Sequence, residues 1–320
     1  MKAFLFPGQG SQSVGMGQFL HNEFKIARET FEEASDALSI DMKKLCFNET
    51  LEALSLTENT QPALLTVSTA TARVLNQVIG VKPQITAGHS IGEYASLVLS
   101  SVINFKDAIK AVRLRGQAMQ SAVPVGQGGM SATLGLNEEQ VQFLCDWAMQ
   151  ETQQKPLSPA NYNCDGQIVI SGNLNILNWL KTNFKPEVLP GAPKKAKIIP
   201  LQVSAPFHCE MMKPAELKMK EFLATLNFRN ATIPIIQNVN AKTQIEADVI
   251  RTNIVAQVSA PVMWTQSMNL LKKENVQNIF EVGNGSVLKG LLKKIDADFF
   301  KVYSTSTLED LKSIESQFKS

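Results

Sequence analysis

The segment Gly88-His89-Ser90-Ile91-Gly92 stands between a short apolar run, Gln84 to Ala87, and a helix-like stretch, Ile91 to Leu99. Strand, tight turn and helix in that order are the parts of an α/β sheet, and a G-x-S-x-G at such a turn has the context that gives the motif meaning. A nucleophile on a sharp strand-to-helix turn projects its hydroxyl into a cleft. That turn requires small residues two positions either side, so that neighbouring backbone can approach. Gly88 and Gly92 meet the need, which makes Ser90 the candidate nucleophile.

The rest of the chain extends the α/β pattern. Lys2 to Phe6 predicts a strand, closed by the turn Pro7-Gly8-Gln9-Gly10. Leu20, Phe24, Ala27 and Phe31 recur at helical spacing and predict one helix over Gln18 to Leu38. A second helix is predicted from Pro62 to Val78, with Pro62 in its first turn. The texture changes at Gly126-Gln127-Gly128-Gly129. Short elements follow: alternation over Met130 to Leu134, a helix over Asn137 to Gln150, and a strand over Gln167 to Ile170. A Pro- and Lys-rich stretch from Pro186 to Lys197 closes this region, and Ile198 to Val203 resumes a buried-strand pattern. The expectation is an inserted subdomain at residues 124–196 within a large α/β unit of residues 1–123 and 197–320.

A serine needs a base, and histidine is the usual one. The chain has three. His21, on an early amphipathic helix, predicts a solvated side chain. His89 adjoins Ser90 on one tight turn, so its ring should point away and serve packing or hydrogen bonding. His208, in Ser204-Ala205-Pro206-Phe207-His208-Cys209 just beyond the Ile198 to Val203 strand, is the candidate base, because α/β sheets assemble sites at strand ends. For an oxyanion hole, the Ile91 N–H is one donor, and the Gly8-Gln9-Gly10-Ser11-Gln12 turn supplies the second. That turn lacks the third glycine of a dinucleotide fingerprint and the Gly-Lys-Ser/Thr of a P-loop, which sets nucleotide binding aside. Arg113 and Arg115 lie roughly 200° apart around a helix, so one can enter the cleft while the other is solvated.

Composition narrows the classes further. A net charge of +2, from 31 basic and 29 acidic residues, leaves no single-sign excess for nucleic-acid binding. No run approaches the ~18 apolar residues of a membrane span, and Lys2 to Phe6 is too short for a signal peptide. Cys46, Cys145, Cys164 and Cys209 are scattered without a C-x-x-C pair, arguing against a zinc site or a disulfide framework. A cytoplasmic protein that engages neither membrane nor nucleic acid is expected.

Together these residues resemble a known family, the malonyl-CoA:acyl carrier protein transacylases. The resemblance spans nearly the whole chain through Phe6-Pro7-Gly8-Gln9-Gly10-Ser11-Gln12, Gln61-Pro62-Ala63, Gly88-His89-Ser90-Ile91-Gly92-Glu93-Tyr94, Arg115-Gly116, Pro206-Phe207-His208, Pro261-Val262 with Trp264, and Glu281-Val282-Gly283. It implies a large α/β-hydrolase-like domain with an inserted ferredoxin-like subdomain. It implies Ser90 as nucleophile, His208 as base, the Gln9 and Ile91 N–H groups as oxyanion hole, and Arg115 as partner of the malonyl carboxylate. It also implies that the Gln257 backbone carbonyl orients the base in place of an acidic residue.

The implied partners are malonyl-CoA and holo acyl carrier protein. The implied reaction is transfer through a malonyl-serine ester for fatty-acid elongation, and it calls for no metal or redox cofactor. Asp165 and Asn284 depart from commoner prolines and look like loop variation. Phe207 stands where many bacterial members place serine; its bulk would crowd a methyl on the acyl α-carbon, which supports malonyl as the acyl group. The rival from another class is a serine esterase or thioesterase that admits water. Arg115, Gln9 and the inserted subdomain favour transfer.

Overall fold

In the computed structural model, which describes residues 1–318, ten strands form two sheets. The last two residues of the expected 197–320 segment lie outside the described residues. The first strand, β1 (Lys2–Phe6), alternates its side chains between two cores. Phe4 and Phe6 pack on one face with the helices, while Ala3 and Leu5 pack on the other. Burial on both faces makes it a central strand of a sheet covered on both sides.

The remaining strands are β2 (Ile85–Gly88), β3 (Gly128–Leu134), β4 (Leu157–Cys164), β5 (Gln167–Asn173), β6 (Lys197–Pro200), β7 (Ile235–Gln237), β8 (Lys242–Gln244), β9 (Asn278–Glu281) and β10 (Lys301–Ser304). The larger sheet has the order β10-β9-β1-β2-β7-β8 and is parallel except for the β7–β8 pair. The chain builds to one side of β1 with β2, β7 and β8, then returns to its other side with β9 and β10. The crevice beyond the carboxyl ends of β1 and β2 therefore lies where such sheets bind ligands.

The smaller sheet, β4-β5-β3-β6, is antiparallel and carries helices Glu138–Thr152 and Leu174–Asn183, whose Trp147 and Trp179 rings meet at 5.0 Å. Asn137 caps the first of these helices in a reciprocal capping box with Gln140. The small sheet is fastened to the large unit at Val262, which accepts from the Tyr162 N–H at 2.9 Å and donates to the Ala160 carbonyl at 2.8 Å.

Three expectations need correction. The helix predicted over Gln18 to Leu38 is two, Gln18–Glu23 and Lys25–Leu38, broken at an extended Phe24. Arg28 Nη1 takes up the His21 and Asn22 carbonyls that the break leaves free. The helix predicted to start at Pro62 starts at Thr57, runs to Arg73 and continues as a π-helical turn, Val74–Ile79. Pro62 is interior because the Glu58 carbonyl, which its missing N–H leaves unbonded, accepts from Arg113 Nη1 at 2.7 Å. Finally, Ile198 to Val203 is not a buried strand of the large sheet. Only Lys197–Pro200 is extended, mostly exposed, and it pairs with β3 at the edge of the small sheet.

Candidate active site

β2 ends at Gly88, and the chain turns through His89 and Ser90 into helix Gly92–Leu99. Ser90 sits at φ 52°, in the left-handed region that non-glycine residues seldom occupy. The turn is this sharp because both flanks are glycine. A Cβ on Gly88 would overlap the Gly92 backbone, and one on Gly92 would overlap the Phe6 carbonyl at the end of β1. Asn238, which follows β7, holds the turn from behind. Its Oδ1 accepts the Ser90 N–H at 2.7 Å, and its Nδ2 donates to the Gly88 carbonyl at 2.7 Å.

Ser90 Oγ lies 2.7 Å from His208 Nε2. His208 Nδ1 faces two carbonyls, Gln257 at 2.9 Å and Ala260 at 3.2 Å, so that nitrogen carries the proton. The unprotonated Nε2 is left to accept from the serine. His208 is itself at φ 58° and buried. Its pKa is pushed down to about 3, first by burial and then by the Arg115 charge, against the opposing carbonyl bonds. The imidazole is therefore neutral, as a base must be.

Arg115 is buried, with Nη2 2.9 Å from Gln257 Oε1 and 3.4 Å from Ser90 Oγ. Burial holds it below the ordinary arginine range, and the neighbouring Tyr94 and Glu93 oppose that shift. Its Nε has no partner among the described residues. A buried guanidinium with donors to spare suits an anion of carboxylate shape. Arg113 is not solvated as the alternative required; it is half-buried and bonds Glu58 and Asn59 at the start of the Thr57–Arg73 helix.

Gln9, Ser90, Ile91, Arg115, Phe207 and His208 all border one cavity of about 200 Å³. Neither the Gln9 nor the Ile91 N–H is taken by another group among the described residues. Helix Val287–Asp296 forms part of the mouth through Val287, Leu288 and Leu291. The structure thus brings together every site residue expected from sequence. Gln257 sits behind the cavity, touching it only through His208, Arg115 and Ser90.

The acyl transferase domain model matches residues 3–293. The malonyl CoA-acyl carrier protein transacylase of Salmonella typhimurium is 43% identical over 293 residues, 92% of each chain. The chain belongs to the malonyl CoA-acyl carrier protein transacylase family. The Bacillus subtilis transacylase is 42% identical, over 92% of this chain and 90% of its own. An acyl carrier protein S-malonyltransferase from Vibrio cholerae superposes with a TM-score of 0.90 at 38% identity, covering 98% of this chain and 99% of that one. A malonyl-transacylase in complex with its type II PKS acyl-carrier protein superposes with a TM-score of 0.92 at 37% identity, covering 99% of each. The α/β fold is thus that of solved transacylases.

The support behind Ser90 was not legible in the sequence of this transacylase. Glu93, Gln237 and Asn238 are buried, and the Glu93 carboxyl accepts from the Asn238 N–H, Gln257 Nε2 and Gln237 Nε2. Burial pushes Glu93 up to about 7, against these three donors and the Arg115 charge. A glutamate two places after G-x-S-x, in the helix predicted over Ile91 to Leu99, was the available signal; for Asn238 there was none. His21 is also not simply solvated, since its ring meets Phe31 and Phe47 edge-on at 5.8 and 5.6 Å. His89 donates Nε2–H to Asn163 Oδ1 at 2.8 Å and packs on Trp264, away from the Ser90 hydroxyl. Among the described residues no three His, Cys, Asp or Glu side chains converge as a metal site, and no helix is long and apolar enough to cross a membrane.

Proposed function

We propose that this transacylase moves the malonyl group from malonyl-CoA to the phosphopantetheine thiol of acyl carrier protein through an ester on Ser90, supplying fatty-acid chain elongation. One observation carries this assignment: the Ser90–His208 pair shares its cavity with a buried Arg115 whose Nη2 lies 3.4 Å from Ser90 Oγ. His208 Nε2 accepts the Ser90 proton as Oγ attacks the thioester carbonyl. The oxyanion is held by the Gln9 and Ile91 N–H groups, and the Gln257 carbonyl keeps the imidazole in the competent tautomer. The C–S bond breaks, and the imidazolium protonates the departing CoA thiolate. In the second half-reaction His208 takes the proton of the carrier thiol, the thiolate attacks the ester, and the proton returns to Ser90. Base and oxyanion donors come from the chain itself, so no metal or redox cofactor enters these steps.

Arg115 pairs with the malonyl carboxylate, and Phe207, buried at the cavity wall, crowds an α-methyl. The order β-α-β-β-α-β of the small sheet, with its edge strand at Lys197–Pro200, supports a ferredoxin-like unit inserted into an α/β-hydrolase-like unit. We place the insertion at about residues 124–200, moving its second boundary past the strand that pairs with β3. A cytoplasmic location accords with four unpaired buried cysteines.

Intact-mass spectrometry tests the function. Incubation with malonyl-CoA should add one malonyl group, and holo carrier protein should remove it. Loss of the adduct to water at the same rate without carrier would establish a hydrolase instead.

A further inference from the structure

Behind Ser90 lies a buried carboxylate that the acyl-transfer steps do not use. Glu93 is 1% exposed, and every group within hydrogen-bond reach of it is a donor. Oε2 accepts from the Asn238 N–H at 3.0 Å and Gln257 Nε2 at 2.9 Å, and Oε1 accepts from Gln237 Nε2 at 3.0 Å. Three N–H donors and no acceptor match the ionised form.

Two of those donors lead to the reacting groups. Asn238, held at its backbone by Glu93, fixes the Ser90 turn through its side chain. Gln257 gives Nε2 to Glu93 and to the Ser90 carbonyl, and presents Oε1 to Arg115 Nη2 at 2.9 Å. The direction of this amide is forced, because a carboxylate can only accept and a guanidinium can only donate. An amide between them must turn its nitrogen to Glu93 and its oxygen to Arg115.

We propose that Glu93 is a positioning residue for substrate selection: it fixes the Gln257 amide so that its oxygen holds the Arg115 guanidinium in place for the malonyl carboxylate. The proposal rests on Arg115 as the carboxylate's partner. Glu93→Gln keeps the shape but replaces one acceptor oxygen with an NH₂ group, so three donors face a single oxygen. The Gln257 amide then loses its charged acceptor and is held only by the Ser90 carbonyl and Arg115, so its oxygen no longer fixes the guanidinium as firmly. Acetyl-CoA, lacking the carboxylate, does not use that arrangement.

The test compares kcat/KM for Ser90 acylation by malonyl-CoA and acetyl-CoA in wild type, Glu93→Gln, Arg115→Ala and the double variant, with thermal unfolding as the fold check. Glu93→Gln should lower the malonyl-to-acetyl ratio tenfold or more, within the range that displaced positioning groups cost. In the Arg115→Ala background it should lower the ratio no further. An equal loss for both thioesters, or the full drop persisting without Arg115, overturns the proposal. If Arg115→Ala lowers the ratio and Glu93→Gln does not, this proposal alone fails. If Arg115→Ala leaves the ratio unchanged, the carboxylate assignment fails and takes the proposal with it. Should Glu93→Gln not fold, Gln257→Met, which keeps the carbonyl to His208 but removes the relay amide, carries the same expectation: a lowered ratio supports the proposal and an unchanged one overturns it.

Discussion

His208 Nε2 lies 2.7 Å from Ser90 Oγ although 118 positions separate the two residues in sequence. With Nδ1 donating to the Gln257 carbonyl, the proton-free nitrogen faces the Ser90 hydroxyl. Burial and the Arg115 charge push the His208 pKa down to about 3, so the neutral base is populated throughout pH 5 to 8. The rate of Ser90 acylation by malonyl-CoA should show no titration of the base near 6.5 in that range. Burial raises the Glu93 carboxyl to about 7, so an inflection of its making should vanish in Glu93→Gln; an inflection in that range that survives there would contradict the assignment. The stability consequence has a definite sign. A depressed histidine pKa means the unfolded chain binds the proton more readily, so His208 costs stability as pH falls from about 6.5 toward 3. His208→Gln should therefore flatten the acid side of the Tm profile. Ser90→Ala should abolish acylation, and His208→Gln should slow it by about a thousandfold or more.

Arg113 and Arg115 should separate cleanly. On the proposed pairing of Arg115 with the malonyl carboxylate, Arg115→Ala removes one member of a buried charge pair, a loss of about 2–5 kcal/mol, or roughly thirty- to several-thousand-fold in kcat/KM for malonyl-CoA. Acetyl-CoA should lose nothing comparable, and Arg115→Lys should restore only part because an ammonium cannot form the fork. Arg113→Ala should leave the thioester preference intact. It should instead lower Tm, by an amount corresponding to about 1 kcal/mol, since its bonds to the Glu58 carbonyl and carboxylate are half-exposed. A shift of preference in Arg113→Ala, with none in Arg115→Ala, would reverse the two roles.

Gly92→Ala tests the turn itself. The added methyl would strike the Phe6 carbonyl, which is backbone at the end of a buried strand and cannot swing aside. The variant should lose about 3 kcal/mol or more and acylate poorly, because relief of the clash moves the Ser90 turn away from β1. Near-native Tm and normal acylation would show that the β1 and β2 ends can separate without cost. Gly10→Ala is the contrast. No atom stands near its added methyl, so its penalty is confined to φ 104°, which only glycine adopts easily.

What could be read from sequence was what is local. Ser90 between two glycines, a strand before it and a helix after it are consequences of steric rules acting over five residues. The helix predicted over Asn137 to Gln150 is likewise local chemistry, and the structure shows Asn137 as its cap. His208 was reachable because only three histidines exist and two had plainer explanations. The misreadings were long-range. Pro62 looked like a helix start until Arg113, far along the chain, supplied the donor that proline lacks. Ile198 to Val203 carried a core-strand pattern, yet its pairing partner β3 belongs to the other sheet. Glu93 and Asn238 come together across 145 positions, and no local pattern encodes such a meeting. His21 shows the same limit: Asn22 and Glu23 follow it in sequence, but its ring rests against Phe31 and Phe47. His21→Ala should lower Tm modestly while leaving acylation unchanged.

The carrier must deliver its thiol to Ser90 through the mouth formed partly by helix Val287–Asp296. On that helix Leu288 and Leu291 turn inward to the cavity, while Lys289 and Lys293, four residues apart, are exposed on one outer face. Lys194 and Lys195, also exposed, lie just before the edge strand of the small unit. A negatively charged carrier docking across the mouth beside that helix would meet Lys289 and Lys293, whereas malonyl-CoA self-acylation does not need the protein surface. Lys289→Glu/Lys293→Glu should therefore raise KM for holo carrier protein severalfold and weaken its salt dependence, with the rate of Ser90 acylation unchanged. Lys194→Glu/Lys195→Glu should do the same if docking reaches the small unit. The two half-reactions provide the internal control: equal losses in both would mean that the substitutions disturb the cavity wall at Leu288 and Leu291 rather than a docking surface. Unchanged carrier kinetics in both pairs would place the docking surface elsewhere on the rim.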